Sequence, residues 1–109
     1  MHVTDDTFTA EVLESELPVL VDFTAAWCPP CRAMNPVLDA IAADRDDVRI
    51  VKLDVDDNQE TAIRYGVRGM PTFILFRDGA PVQTLVGARP RRRLESELEQ
   101  ALVEQPAGR

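Results

Sequence analysis

The two cysteines of this chain, Cys28 and Cys31, are separated by two residues and stand where one hydrophobic pattern gives way to another. Ahead of them, Val19-Leu20-Val21-Asp22-Phe23 is apolar on nearly every successive residue, the pattern of a strand covered on both faces. Behind them, Met34, Val37, Leu38 and Ile41 recur at helical spacing. A strand that ends in Cys-x-x-Cys and opens a helix puts a thiol at the positive end of the helix dipole, beside backbone N–H groups that have no partner within the helix. Thiolate, not thiol, attacks a disulfide, so a low thiol pKa is what such chemistry requires. The pair therefore reads as a redox site, with Cys28 as nucleophile and Cys31, a turn later, as the resolving thiol. Arg32 adds a cation immediately after the pair.

Three plainer readings compete. A zinc site needs about four ligands, and His2 is the one histidine in the chain, so no metal is expected. Two inert buried thiols fit poorly with Pro29 and Pro30 between them. A structural disulfide depends on compartment. No N-terminal stretch has the basic, apolar, small-residue order of a secretory signal, and the longest apolar run, near 18–27, is interrupted by Asp22 and far too short to span a membrane. The expectation is a cytoplasmic protein with no membrane association. Thiols there are kept reduced, and a bridge closing so short a loop constrains the unfolded chain little.

A length of 109 residues allows one domain with one modest core, expected over 1–105, with 106–109 as a frayed tail. The formal net charge of −7 argues against nucleic acid as a partner. Lys52 is the one lysine among 12 basic residues. Residues 1–4 read as a short first strand. Asp5-Asp6-Thr7 forms an N-cap cluster for a helix over 8–16, which Pro18 ends. A strand over 19–25 leads into the cysteines, and the following helix runs to about 43 with Pro36 inside it, where a kink is expected. A strand over 48–55 and a short helix capped by Asn58 and stopped at Gly66 come next. Gly69-Met70-Pro71 turns into a strand over 72–76, Asp78-Gly79 signals a hairpin, and 82–86 returns antiparallel. The last helix is expected from Pro90, with Leu94, Leu98, Ala101 and Leu102 on one face. This order implies an α/β fold with a central mixed β-sheet flanked by helices on both faces.

Asp22 is the second informative position. A carboxylate within an apolar strand is expensive to bury ionised, so its pKa is expected well above the reference value near 4. Two orientations fit the pattern. If the side chain points toward the cysteines it can accept the proton of Cys31 as that thiol attacks; otherwise it faces the solvated side of the sheet. Lys52, alone in its apolar strand, either faces Asp22 and moderates the shift or snorkels to the surface.

Across nearly its whole length the chain resembles the thioredoxin family. The matching stretches are Val21-Asp22-Phe23, Trp27-Cys28-Pro29-Pro30-Cys31, Pro36, Tyr65-Gly66-Val67-Arg68-Gly69-Met70-Pro71-Thr72, Gly79 and Gly87. The resemblance implies a thioredoxin fold and a protein thiol-disulfide oxidoreductase that acts as a general disulfide reductase, with no tightly bound cofactor, reducing equivalents from NADPH via thioredoxin reductase, and disulfide-bearing proteins as substrates. A monomer is expected. It makes Asp22 a buried proton acceptor, supported by Lys52, and implies a cis Met70–Pro71 bond facing the cysteines, where the Met70 backbone pairs with an extended substrate strand. Trp27, Val67, Gly69, Met70 and Ala88 then border a substrate groove, and Asp56 accepts a hydrogen bond from the Trp27 indole.

Three departures stand out. Both residues between the cysteines are proline, where the family usually has glycine first; Pro29 removes an N–H while stiffening the loop, and the two effects oppose each other. Thr24 stands where many members have tryptophan. Arg89-Pro90-Arg91-Arg92-Arg93 opens the last helix with positive charge, which is mildly unfavourable; it reads mainly as a solvated arginine face, with docking of an acidic partner as a lesser reading. Two alternatives keep the same groove: an oxidase or isomerase, and a non-catalytic binding or holdase subunit.

Overall fold

A computed structural model describes residues 1–103 of the chain, and the expected tail over 106–109 lies outside them. The strands are β1 (Val19–Thr24), β2 (Arg49–Asp54), β3 (Thr72–Arg77) and β4 (Ala80–Val86); the helices are α1 (Pro29–Asp44), α2 (Gln59–Arg64) and α3 (Arg91–Val103). The sheet order is β2-β1-β3-β4. β1 and β2 run parallel, with α1 as the crossover, whereas β3 is antiparallel to both β1 and β4. This is the expected mixed sheet, and its architecture is that of the thioredoxin fold.

β1 is buried from Val19 through Phe23 because both of its faces are covered. Val19, Val21 and Phe23 pack with Phe8, Val12, Leu53, Ala62 and Phe76 on one face. Leu20 packs on the other with Met34, Leu38 and Ile41 of α1 and Leu94 and Leu98 of α3. Each such side chain contributes roughly 1.5–3 kcal/mol through burial, so the two faces together fix β1 and carry the redox junction at its end. The hairpin between β3 and β4 turns at Asp78 and Gly79, with φ of 54° and 81°. Positive φ at both central residues is the two-residue turn that matches strand twist, which is why Asp-Gly signals it.

The first strand reduces to a parallel bridge between His2 and Lys52 at the outer side of β2. The helix expected over 8–16 is only a π-helical turn, Thr9–Leu13, closed by Glu14 N–H on the Thr9 carbonyl. Its intended cap acts elsewhere. The Asp5 carboxylate accepts from the Thr61 N–H at 2.9 Å and the Thr61 hydroxyl at 2.6 Å, so it caps α2 from 56 residues away in the chain. Those hydrogen bonds hold Asp5 below the usual carboxylate range. Asn58 instead accepts from the Asp5 N–H and donates to the Asp54 carbonyl. Pro36 is accommodated within a continuous α1, and α3 begins at Arg91 rather than Pro90.

Candidate active site

Where β1 ends, Ala25-Ala26-Trp27 lead into α1, and Cys28 becomes the N-cap residue in extended conformation (φ −99°, ψ 105°). Pro29 and Pro30 occupy the first two helical positions, where a missing N–H breaks no intrahelical bond. Cys31 follows as the third, and its N–H points at the Cys28 sulfur at 3.2 Å. Sγ thus occupies the place a serine or aspartate oxygen takes in an ordinary helix cap. The pair is joined as a disulfide with Cα atoms 5.2 Å apart, and Cys28 and Cys31 are 3% and 1% exposed. A negative charge forming on Cys28 meets a backbone donor and the positive end of α1 together. The Arg32 guanidinium bonds the Ala26 carbonyl at 2.8 Å, keeping its charge at the rim of the same turn.

This geometry bears on one of the two opposing effects of Pro29, the lost N–H. A cap side chain receives the N–H of the second or third helical residue, and the first is not aimed at it. The donor that reaches Cys28 belongs to Cys31, so Pro29 forfeits none. Pro29→Ala is expected to move the Cys28 pKa by less than about 0.5 unit, worth ~0.7 kcal/mol, in a titration of the reduced protein followed by thiolate absorbance. A larger drop would show that the first N–H does reach the sulfur.

Asp22 is wholly buried, and neither carboxylate oxygen has a hydrogen-bond partner. Strand alternation puts it on the face of Leu20, the side of the sheet that α1 covers. The solvated orientation is thereby excluded. Burial pushes its pKa up to about 7, with the positive charge of Lys52 pulling in the opposite direction. Lys52 lies beside it in the β1–β2 register. The ammonium, however, donates to Asn35 Oδ1 at 3.0 Å and sits 4.0 Å from Asp39, both on α1. Lys52 therefore tempers Asp22 through space while bonded to the helix. Asn35 was not singled out in the sequence; the β1–β2 register that sets Lys52 beneath α1 is what finds it.

Met70–Pro71 is a cis bond, as expected, and the Met70 carbonyl oxygen lies 3.8 Å from Cys28 Sγ. Val67 and Met70 pack against the same apolar cluster as both cysteines. Trp27 is 62% exposed, and its indole N–H donates to Asp56 at 2.7 Å, which confirms that expected bond. A Cβ on Gly69 would meet Val86 at 3.8 Å, and the Gly87 N–H donates to the Pro71 carbonyl at 2.8 Å. Ala88 follows, exposed. The end of β4 thus stands beside the Met70–Pro71 turn, and exposed Val86 joins the residues expected there.

The arginine run at 89–93 is not one solvated face. Arg89 is buried and paired with Glu97, Arg91 pairs with Asp44 and Glu95, and Arg93 lies 3.5 Å from Glu97. Acidic side chains of α1 and α3 offset charge that would otherwise oppose the dipole of α3.

A helix-capping cysteine bonded to a second cysteine one turn on, next to a half-buried cis-proline turn and following a strand that buries a carboxylate, defines a thiol-disulfide oxidoreductase. Comparison with known proteins agrees. The thioredoxin family model matches residues 1–100, and the chain belongs to the thioredoxin family. It is 50% identical to thioredoxin 1 of Synechococcus elongatus over 101 residues, covering 92% of this chain and 94% of that protein. It is 52% identical to a thioredoxin of Streptomyces clavuligerus over 90 residues, 83% and 84% of the two chains. A thioredoxin of Porphyra purpurea is 48% identical over 98 residues, 89% and 92%. Among the described residues, no helix is long and apolar enough to cross a membrane.

Proposed function

We propose that this chain is a general protein disulfide reductase of the cytoplasm, working as a monomeric unit over 1–105 and recharged by NADPH through thioredoxin reductase. The observation that carries the reading is the Cys31 N–H aimed at Cys28 Sγ at the start of α1. It favours the thiolate of Cys28 in the reduced protein. That thiolate attacks one sulfur of a substrate disulfide, and the other sulfur leaves as thiolate. Cys31 then gives its proton to Asp22 and attacks Cys28 Sγ; the second substrate sulfur leaves, and the Cys28–Cys31 disulfide remains. Two electrons from the reductase restore the dithiol. The substrate strand runs along Met70, bordered by Trp27, Val67, Gly69 and Ala88, with Pro71 setting the turn and Pro29 and Pro30 stiffening the thiol loop.

NADPH consumption in a mixture of this protein, thioredoxin reductase and insulin tests the proposal. Continuous turnover that stops when this protein is omitted is expected. A pair that exchanges with small thiols but that the reductase does not recharge would overturn the general-reductant reading and bring forward the oxidase or isomerase one.

A further inference from the structure

We propose that Arg89 is a positioning residue for protein substrates, holding the Val86–Gly87 backbone that walls the Met70–Pro71 turn. Arg89 is 8% exposed, and a guanidinium so buried needs its donors satisfied. Nη1 donates to both oxygens of Glu97, at 2.7 and 2.8 Å. Nη2 donates to the Val86 carbonyl at 2.7 Å and Nε to the Gly87 carbonyl at 3.1 Å. One planar group thus ties two successive carbonyls at the end of β4 to α3. On its other side the Gly87 N–H is bonded to the Pro71 carbonyl at 2.8 Å. An unbroken line of bonds therefore runs from Glu97 through Arg89 and Gly87 to Pro71, whose preceding carbonyl on Met70 stands 3.8 Å from Cys28 Sγ.

The consequence concerns recognition rather than sulfur chemistry. Arg89 touches neither cysteine, so the reactivity of Cys28 does not depend on it. Exposed Ala88 is held between Gly87 and Arg89, and Val86 faces Gly69 across the turn. A polypeptide laid along Met70 meets this wall, whereas a small disulfide needs only the sulfur. Lysine cannot replace the fork, because a point charge with one nitrogen cannot span two carbonyls and a carboxylate. The inference rests on the proposed use of the Met70 edge by substrate.

The test uses the pre-reduced full chain, mixed rapidly with insulin or with hydroxyethyl disulfide. In Arg89→Lys the half-saturating insulin concentration is expected to rise about tenfold, while the limiting rate and the hydroxyethyl disulfide rate constant stay within about twofold. Glu97→Gln, which keeps the side-chain shape, is expected to shift insulin in the same direction by about threefold, and it decides the matter if Arg89→Lys does not fold. An unchanged insulin half-saturation together with a lowered melting temperature would make Arg89 merely structural and overturn the inference. Equal slowing of both disulfides would overturn it too, by placing the effect on the dithiol. If the unmodified protein reacts with hydroxyethyl disulfide but leaves insulin intact, it is the reductase reading itself that fails.

Discussion

Replacing Cys28 with serine is expected to abolish turnover of a protein disulfide, at least about 10³-fold, whereas Cys31→Ser performs one attack and then stops at a mixed disulfide. The asymmetry follows from the start of α1. A serine hydroxyl at position 28 has no thiolate to offer, and Cys31, inside the helix, lacks the N-cap position and the backbone donor that favour a thiolate at Cys28. Cys31→Ser removes the resolving sulfur but keeps the backbone N–H that reaches Cys28 Sγ at 3.2 Å. The nucleophile stays activated and its product has nowhere to go. Intact-mass measurement after mixing each reduced variant with insulin distinguishes them. Cys31→Ser should carry a covalent adduct that dithiothreitol removes, and Cys28→Ser should carry none. An adduct on Cys28→Ser would reverse the two roles. Full function in both variants would instead support a binding or holdase subunit.

The place of the two cysteines was legible in the sequence because its causes are local. A strand pattern, two cysteines and two prolines in succession place Cys28 at a helix start with no help from the rest of the chain. Asp78-Gly79 declares its hairpin in the same way, through the φ its two residues accept. What stayed hidden is partner choice between distant side chains. Asp5 reads as the cap of the nearest helix but caps α2. Asn35 looks like any helix residue until the β1–β2 register sets Lys52 beside Asp22 and beneath α1. Arg89 sits in a run whose charge says solvent, yet Glu97 two turns later supplies the carboxylate that lets it be buried. Periodicity reports which face is apolar and is silent on which long polar side chain finds which carbonyl.

The orientation of Asp22 was the question that pattern alone left open, and its burial leads to a prediction of opposite sign for stability and for activity. In the disulfide form neither sulfur carries a proton, so Asp22 titrates without them. Its pKa is about 7 in the folded chain against an ordinary 3.8, because burial disfavours the charged form more than Lys52 restores it. Between those values the folded chain holds a proton that the unfolded chain has released, so stability falls as pH rises from about 4 to 7 and the loss is complete above that. At 1.36 kcal/mol per pKa unit the loss is on the order of 4 kcal/mol. Asp22→Asn cannot ionise, so urea denaturation of the oxidised proteins should give nearly equal stability at pH 4. The variant should become the more stable one by an amount that grows to that order at pH 8. A difference that does not change with pH would mean that folding leaves the Asp22 pKa at its ordinary value. Resolution should move the other way. In the proposed cycle the ionised carboxylate takes the Cys31 proton, so loss of it is expected to slow release of the mixed disulfide on the order of 10²-fold near pH 8 and to remove the inflection near pH 7 from the rate profile. Rapid-quench measurement of the Cys28 adduct follows that step alone. A variant that gains stability at high pH yet resolves as fast as the unmodified chain would leave Asp22 as a buried cost with another group as the base. Both changes together would show why a destabilising carboxylate belongs under this helix: the desolvation that weakens the fold at neutral pH also raises the affinity of Asp22 for the proton that Cys31 loses in the proposed cycle.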